Sequence, residues 1–186
     1  MIQKENQMYK SIEQCLQKNF SCKITKRECI IASKLIDKEN NEKDERFKTS
    51  KIIPYKSKPR VDVIGYCPQS KSLYIVECKV YTDLGGVGIA TAVGQAIINK
   101  QILLTFGFDD LKNNLGLKEN DEIKNLYVYI CVPDFPKIPE DKPEVIRQII
   151  SPAVKKIVKE LNQQYGIGLL RVYDINQPAE VFISPK

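Results

Sequence analysis

The chain contains no histidine among its 186 residues. Serine–histidine–aspartate and cysteine–histidine catalysis, imidazole-ligated zinc and histidine-based nuclease chemistry are therefore excluded. Any catalysis must rest on carboxylates, lysines, hydroxyls, thiols or a bound metal. Long hydrophobic runs are missing too. The most apolar stretch, Val87 to Leu104, is broken by Gln95, Asn99, Lys100 and Gln101, and does not read as a membrane span. The N-terminal MIQKENQMYK lacks the apolar core of a signal peptide. No two of the six cysteines form C-x-x-C, so a structural zinc or iron–sulfur site has no support. Cys15, Cys22 and Cys29 are seven apart, but they straddle a change from helical to strand pattern, and no single stripe joins them. With Cys67, Cys78 and Cys131 they read as buried free thiols, used as small hydrophobes in a reducing compartment. The expected location is cytoplasmic, away from membranes.

What is present suffices for a core. The hydrophobic share is 42%, which excludes a wholly disordered chain. The length fits one domain, residues 1–186, with a charged loop or insertion at about 37–59. A net charge of +6 permits an anionic partner without requiring one. Met8, Ile12, Cys15 and Leu16 recur at helical spacing, so residues 5 to 19 read as an amphipathic helix. CKITKRECII follows as a strand, and residues 37–50, almost all charge and amide, are given no secondary structure. RVDVIGYC and LYIVECKV, joined by PQSKS, read as a β-hairpin. A helix over about 89–104 and a strand over 127–133 come next. Ser151-Pro152 is a good start for a further helix, with Val154, Ile157, Val158 and Leu161 on one face and Gly166 as its stop. GLLRVYD closes the chain as a strand, with EVFIS as a short further one. The order α-β-β-β-α-β-α-β predicts an α/β fold, a central mixed sheet flanked by helices.

One constellation in this order carries chemistry. Glu77 and Lys79 are two apart in a strand, so alternation sends both to one face, with Cys78 pointing away. Asp62, in the middle of the preceding strand, is flanked by Val61 and Val63, which the same alternation sends to the opposite face. A carboxylate inside a β run is costly to desolvate unless it meets a partner. The hairpin can bring Asp62 beside Glu77, and two converging acids attract a hard divalent cation. An ammonium alongside completes a set suited to phosphodiester hydrolysis. The spacing E-x-K alone is uninformative. Glu122-Ile-Lys124, Glu140-Asp-Lys142 and the analogous Asp110-Leu-Lys112 share it in polar surroundings without a preceding acidic strand. A cross-strand salt bridge on a solvated face is the competing reading of the hairpin acids.

The run Arg60-Val-Asp62-Val-Ile-Gly, then Ile75-Val-Glu77-Cys-Lys79-Val, then Gly94-Gln95, resembles the PD-(D/E)xK nuclease superfamily. That superfamily includes restriction endonucleases and archaeal Holliday-junction resolvases. The resemblance covers residues 60 to 96 as motif and roughly 10 to 173 as an order of elements. It implies a restriction endonuclease-like core and a metal-dependent endodeoxyribonuclease. By resemblance, Asp62, Glu77 and the backbone carbonyl of Cys78 would bind Mg²⁺, for which Mn²⁺ can substitute, and Lys79 would orient or activate the attacking water. Gln95 matches a supporting glutamine on the following helix. Val61 stands where the motif has proline. The family often adds an acid from the first helix; Glu13 is the candidate and Glu5 its rival. The alternative function is a catalytically silent module of the same fold that binds nucleic acid or a partner protein.

Two further features flank this motif. Gly86-Val-Gly88 opens a helix as a dinucleotide loop does, but position 91 is Thr, and a strand carrying Glu77 and Lys79 does not suit a Rossmann core. Backbone N–H groups there could instead hold a DNA phosphate. Lys51, Lys56, Lys58 and Arg60 form a basic run leading into the Asp62 strand. Beside a nuclease site, Lys56, Lys58 and Arg60 are candidates for contacting the phosphate backbone; alone, the run reads as a solvated lysine-rich loop. Tyr55 among them could stack on a base. DNA is the implied partner, and a homodimer is carried over from related enzymes that cut both strands.

Overall fold

The structure, a computed structural model, describes residues 4–31, 59–79, 87–133, 156 and 159–185. A single 3-10 turn, Glu5–Met8, leads into α1 (Tyr9–Asn19). Tyr9, Ile12, Cys15 and Leu16 are buried, the stripe that helical spacing predicts. The helix ends where Ser21 turns left-handed, with φ 54°, and the Cys22 N–H reaches back to the Leu16 carbonyl.

Six strands follow: β1 (Ile24–Ile30), β2 (Arg60–Cys67), β3 (Ser72–Cys78), β4 (Asn125–Pro133), β5 (Ile167–Val172) and β6 (Glu180–Ile183). They lie side by side in chain order. β1, β2 and β3 pair antiparallel, β3, β4 and β5 parallel, and β6 antiparallel to β5. The expected β-hairpin is therefore β2–β3. Between β3 and β4 run α2 (Val87–Phe106) and the short α3 (Asp109–Leu115). Residues 159–165 are helical and stop at Gly166, whose φ of 63° is the left-handed geometry glycine favours at a helix end. The protein is an α/β fold, a six-stranded mixed sheet flanked by helices. Relative to the expected order it adds α3, and it contains the short last strand. Ser151-Pro152, Val154, Ile157 and Val158 lie outside the described residues, as do Gly86 and residues 37–58.

Each sheet face carries its own core. α1 covers Val63, Cys67, Tyr74, Val76, Cys78, Tyr129 and Cys131. Ala92, Ala96 and Leu103 of α2, with Leu111 of α3, cover Ile64, Leu73, Ile75, Val128 and Ile130. Every residue of β3 is buried, as a strand sandwiched between helix layers requires. All six cysteines are buried and free, as expected. No helix among the described residues is long and apolar enough to cross a membrane.

Gly168 of β5 pairs with Tyr129 of β4. A Cβ at that position would stand 2.6 Å from the Tyr129 ring and 2.7 Å from the Ile183 carbonyl oxygen. Since neither backbone nor a ring fixed in the core can yield cheaply, Gly168→Ala is expected to destabilise by about 1–3 kcal/mol. A urea denaturation midpoint lowered accordingly is the check; an unchanged midpoint would show that this contact relaxes freely.

Alternation breaks at Asp62. Val61 belongs to the α2-side core and Val63 to the α1-side core, although they are two apart. This corrects the expectation that both valines share one face. The cause lies in the neighbouring strand: Glu28, which would pair with Asp62, has φ 49°, a left-handed backbone inside a strand. The ladder omits the pair there and reverses the faces beyond it.

Candidate active site

The β2–β3 ladder also stops at the Val63–Val76 pair, one step before Asp62 would face Glu77. With no backbone pairing on either side, Asp62 turns its side chain in between the strands. Its Oδ2 accepts the Cys78 N–H at 2.7 Å, replacing the carbonyl a continued ladder would supply. Its Oδ1 accepts the Tyr9 hydroxyl at 3.2 Å. Burial raises the Asp62 pKa despite the opposing pull of those donors, and the charge of Glu5 adds to the rise. Tyr9 is pushed up as well, by burial and by the negative charge of Asp62.

Glu77, near the end of β3, is only 2% exposed. It accepts a hydrogen bond from the Asn99 side-chain amide, which also donates to the Arg60 carbonyl at 3.2 Å. Burial first, then the charge of Asp62, lift the Glu77 carboxyl to about 8, against the opposing effects of Asn99 and Lys79. A carboxyl so placed is largely protonated at neutral pH. Lys79 lies just past β3, where strand alternation no longer directs it. Its N–H donates to the Cys131 carbonyl at 3.0 Å, and its ammonium pairs with Glu5 at 2.7 Å. Asp62, Glu77, Lys79 and Glu5 thus gather at one end of the sheet, close enough for the charges of Lys79 and Glu5 to act on the ionisation of Asp62 and Glu77.

Several expected participants stand elsewhere. Glu13 does not join these acids: its carboxylate is held by Arg27 in a two-point ion pair, with Nε at 2.9 Å. Its rival Glu5 is the acid that reaches this group, because the 3-10 turn before α1 points it at Lys79. Gln95 is exposed, and the amide that reaches Glu77 is Asn99, one helical turn later. Arg60 is exposed and meets the site only through its backbone carbonyl; Lys56 and Lys58 lie outside the described residues. Of the three look-alike spacings, Glu140 and Lys142 lie outside the described residues. Glu122 pairs with Lys71 and Lys124 on an exposed loop, and Asp110 opens α3.

Asn99 and Tyr9 are the participants that spacing alone did not single out. The signal for Asn99 is an amide, a group that must find a partner if buried, inside the largely apolar run IINKQILL, which it shares with Gln101. Asn99→Ala would leave the Arg60 carbonyl and the Glu77 carboxyl without their donor. It is expected to cost about 1–3 kcal/mol, read by urea denaturation at pH 6; a loss near zero would mean the amide is dispensable.

No family model matches the chain, and no curated protein matches it. Among solved structures it is similar to a protein of unknown function from Silicibacter pomeroyi, at 14% identity and a TM-score of 0.43, covering 100% of this chain and 73% of that one.

Proposed function

We propose that the chain is a divalent-metal-dependent nuclease that hydrolyses DNA phosphodiester bonds in a restriction endonuclease-like core. The carrying observation is that two acids, half-buried Asp62 and buried Glu77, meet at the end of the β2–β3 hairpin, where burial raises both, the charge of Asp62 raises Glu77 further and that of Glu5 adds to Asp62. Such a pair is what a cation relieves. The succession α1, antiparallel β1–β2–β3, α2 and a parallel β4 supports the same reading.

Among the described residues no group of three acidic or thiol side chains is placed to hold a metal. Mg²⁺, however, is commonly bound by one or two carboxylates plus waters and substrate phosphates, not by an all-protein cage. Two hard carboxylates fit that habit. Asp62, Glu77 and the Cys78 carbonyl would hold the ion. When bound, it would supply neutralisation of the charge growing on the phosphate oxygens and a more acidic water. Tyr9 and the Cys78 N–H fix the Asp62 carboxylate, Asn99 fixes Glu77, and Glu5 keeps the Lys79 ammonium at the site, where it orients the attacking water. Arg60, with Lys56 and Lys58, is proposed to contact the backbone. A second copy of the chain would provide the second cut.

A second reading, a silent module that binds nucleic acid or a partner protein, is favoured by one observation: both oxygens of Asp62 already accept hydrogen bonds. Supercoiled plasmid and branched DNA incubated with Mg²⁺, Mn²⁺ or EDTA separate the two. Cutting by the wild type that EDTA stops supports the nuclease. DNA retained without cutting in either metal supports the silent module.

A further inference from the structure

Five of the six cysteines, all except Cys29, lie in the core beneath α1. Cys15, Cys78 and Cys131 are fully sealed there, and burial pushes their thiols up. Cys22 and Cys67, at the rim, are placed differently. The Lys23 N–H donates to the Tyr66 carbonyl at 3.0 Å, while Ile24 is the ladder partner of Tyr66. Two residues of one strand thus face one of the other, which is a β-bulge. Continued by one residue, the shifted register would set Cys22 opposite Cys67, and the two are near enough for a charge on Cys67 to act on Cys22. Both side chains enter the same core, and the Cys22 sulfur rests over Gly65, 3.0 Å from where a Cβ would stand. Gly65 is one same-face position along β2 from Cys67. Directly opposed antiparallel residues have Cβ atoms about 4.5–5.5 Å apart, and a disulfide needs about 3.5–4.5 Å. A χ1 rotation of Cys22 and a small strand adjustment would close a gap of that size.

The surroundings of the two thiols divide their roles. Burial raises Cys67, yet the Ser70 hydroxyl, the N–H groups of Ser70 and Gln69, and the charge of Lys23 outweigh it and bring the thiol below its ordinary value. Burial pushes Cys22 up to about 12. Cys67 is 3% exposed: α1 covers it on the core side, and the turn residues Pro68, Gln69 and Ser70 beside it are exposed. A thiolate under such a cover is the form that reacts with small electrophilic oxidants.

We propose that Cys22 and Cys67 form a redox-active dithiol, with Cys67 the thiol that a hydroperoxide oxidises and Cys22 the one that resolves it. The Cys67 thiolate attacks the terminal peroxide oxygen and the O–O bond breaks. The alkoxide or hydroxide leaves and takes up a proton, and Cys67 becomes a sulfenic acid. The Cys22 sulfur then attacks the Cys67 sulfur. An S–S bond forms, the sulfenic oxygen leaves as water with the Cys22 proton, and two electrons have passed from the thiols to the peroxide.

The test uses the full chain. Without oxidant, iodoacetamide at pH 7.5 should modify Cys67 about tenfold faster than any other thiol. With stoichiometric hydrogen peroxide, non-reducing peptide mapping should find one Cys22–Cys67 crosslink, reversed by dithiothreitol, and four remaining thiols. In Cys22→Ser, dimedone should trap a sulfenic acid on Cys67 and no crosslink should form. Should that variant fail to fold, the wild-type map decides alone. An alkylation rate at Cys67 no higher than at Cys29, a crosslink between another pair, or no crosslink would overturn the proposal.

Discussion

Glu77→Gln is expected to make the metal-free protein more stable, and increasingly so as pH rises. The Glu77 carboxyl titrates near 8 in the folded chain, above its ordinary value of 4.5, because burial and Asp62 oppose its charge. An acid raised in this way contributes stability that is fully present below its unfolded pKa and is lost as pH climbs through the folded one. The wild type in EDTA should therefore weaken between about pH 4.5 and 8. Glutamine carries no charge and still offers an oxygen to Asn99, so the variant should lack most of that slope. The gain at pH 8 is on the order of 1–4 kcal/mol, or about 2–4 °C of melting temperature per kcal/mol for a chain of this size. Asp62, also raised, gives the variant a residual slope of the same sign. Melting curves at pH 5, 6, 7 and 8 decide the matter. Parallel pH profiles for wild type and variant would show that Glu77 is not the group responsible.

Added divalent cation should reverse this weakness. A cation held at the proposed site would bind the ionised acids, so Mn²⁺ would have to displace protons from Glu77 and Asp62, and its stabilising effect should grow from pH 6 to 8. At a concentration about 100 times its dissociation constant, one bound ion adds about 2.7 kcal/mol. Differential scanning fluorimetry should show a melting rise of roughly 5–10 °C at pH 8 and a smaller one at pH 6. Asp62→Asn, whose amide oxygen can accept the Cys78 N–H while its NH2 donates to the Tyr9 hydroxyl oxygen, should abolish the rise without abolishing the fold. An equal Mn²⁺ response in Asp62→Asn would place the ion elsewhere.

The helix α1, the hairpin β2–β3 and the apolar helix α2 are all legible in hydrophobic period and turn residues. The short α3 is not, because DDLKNNL spans too few turns to display a period. Nor is the face reversal at Asp62, which depends on Glu28 adopting a left-handed backbone that glutamate seldom adopts. Two expectations for the site differ from the geometry for similar reasons. Gln95 and Asn99 lie one turn apart on α2, and only the helix's placement over β3 decides which amide meets Glu77. Glu5 and Glu13 both flank an apolar stripe; the 3-10 turn before α1 and the competing charge of Arg27 separate them. Helical spacing carries neither piece of information.

In the proposed reaction Asp62, Glu77 and Lys79 cleave DNA with a divalent ion. Single-turnover cleavage of an end-labelled duplex by wild type and Glu77→Gln, at pH 8 in Mg²⁺ or Mn²⁺, tests it most directly. The wild type should cut, with a loss of roughly a hundredfold or more in the folded variant. Equal cutting by both proteins, or a wild type inert in both metals on linear, supercoiled and branched DNA, would contradict it.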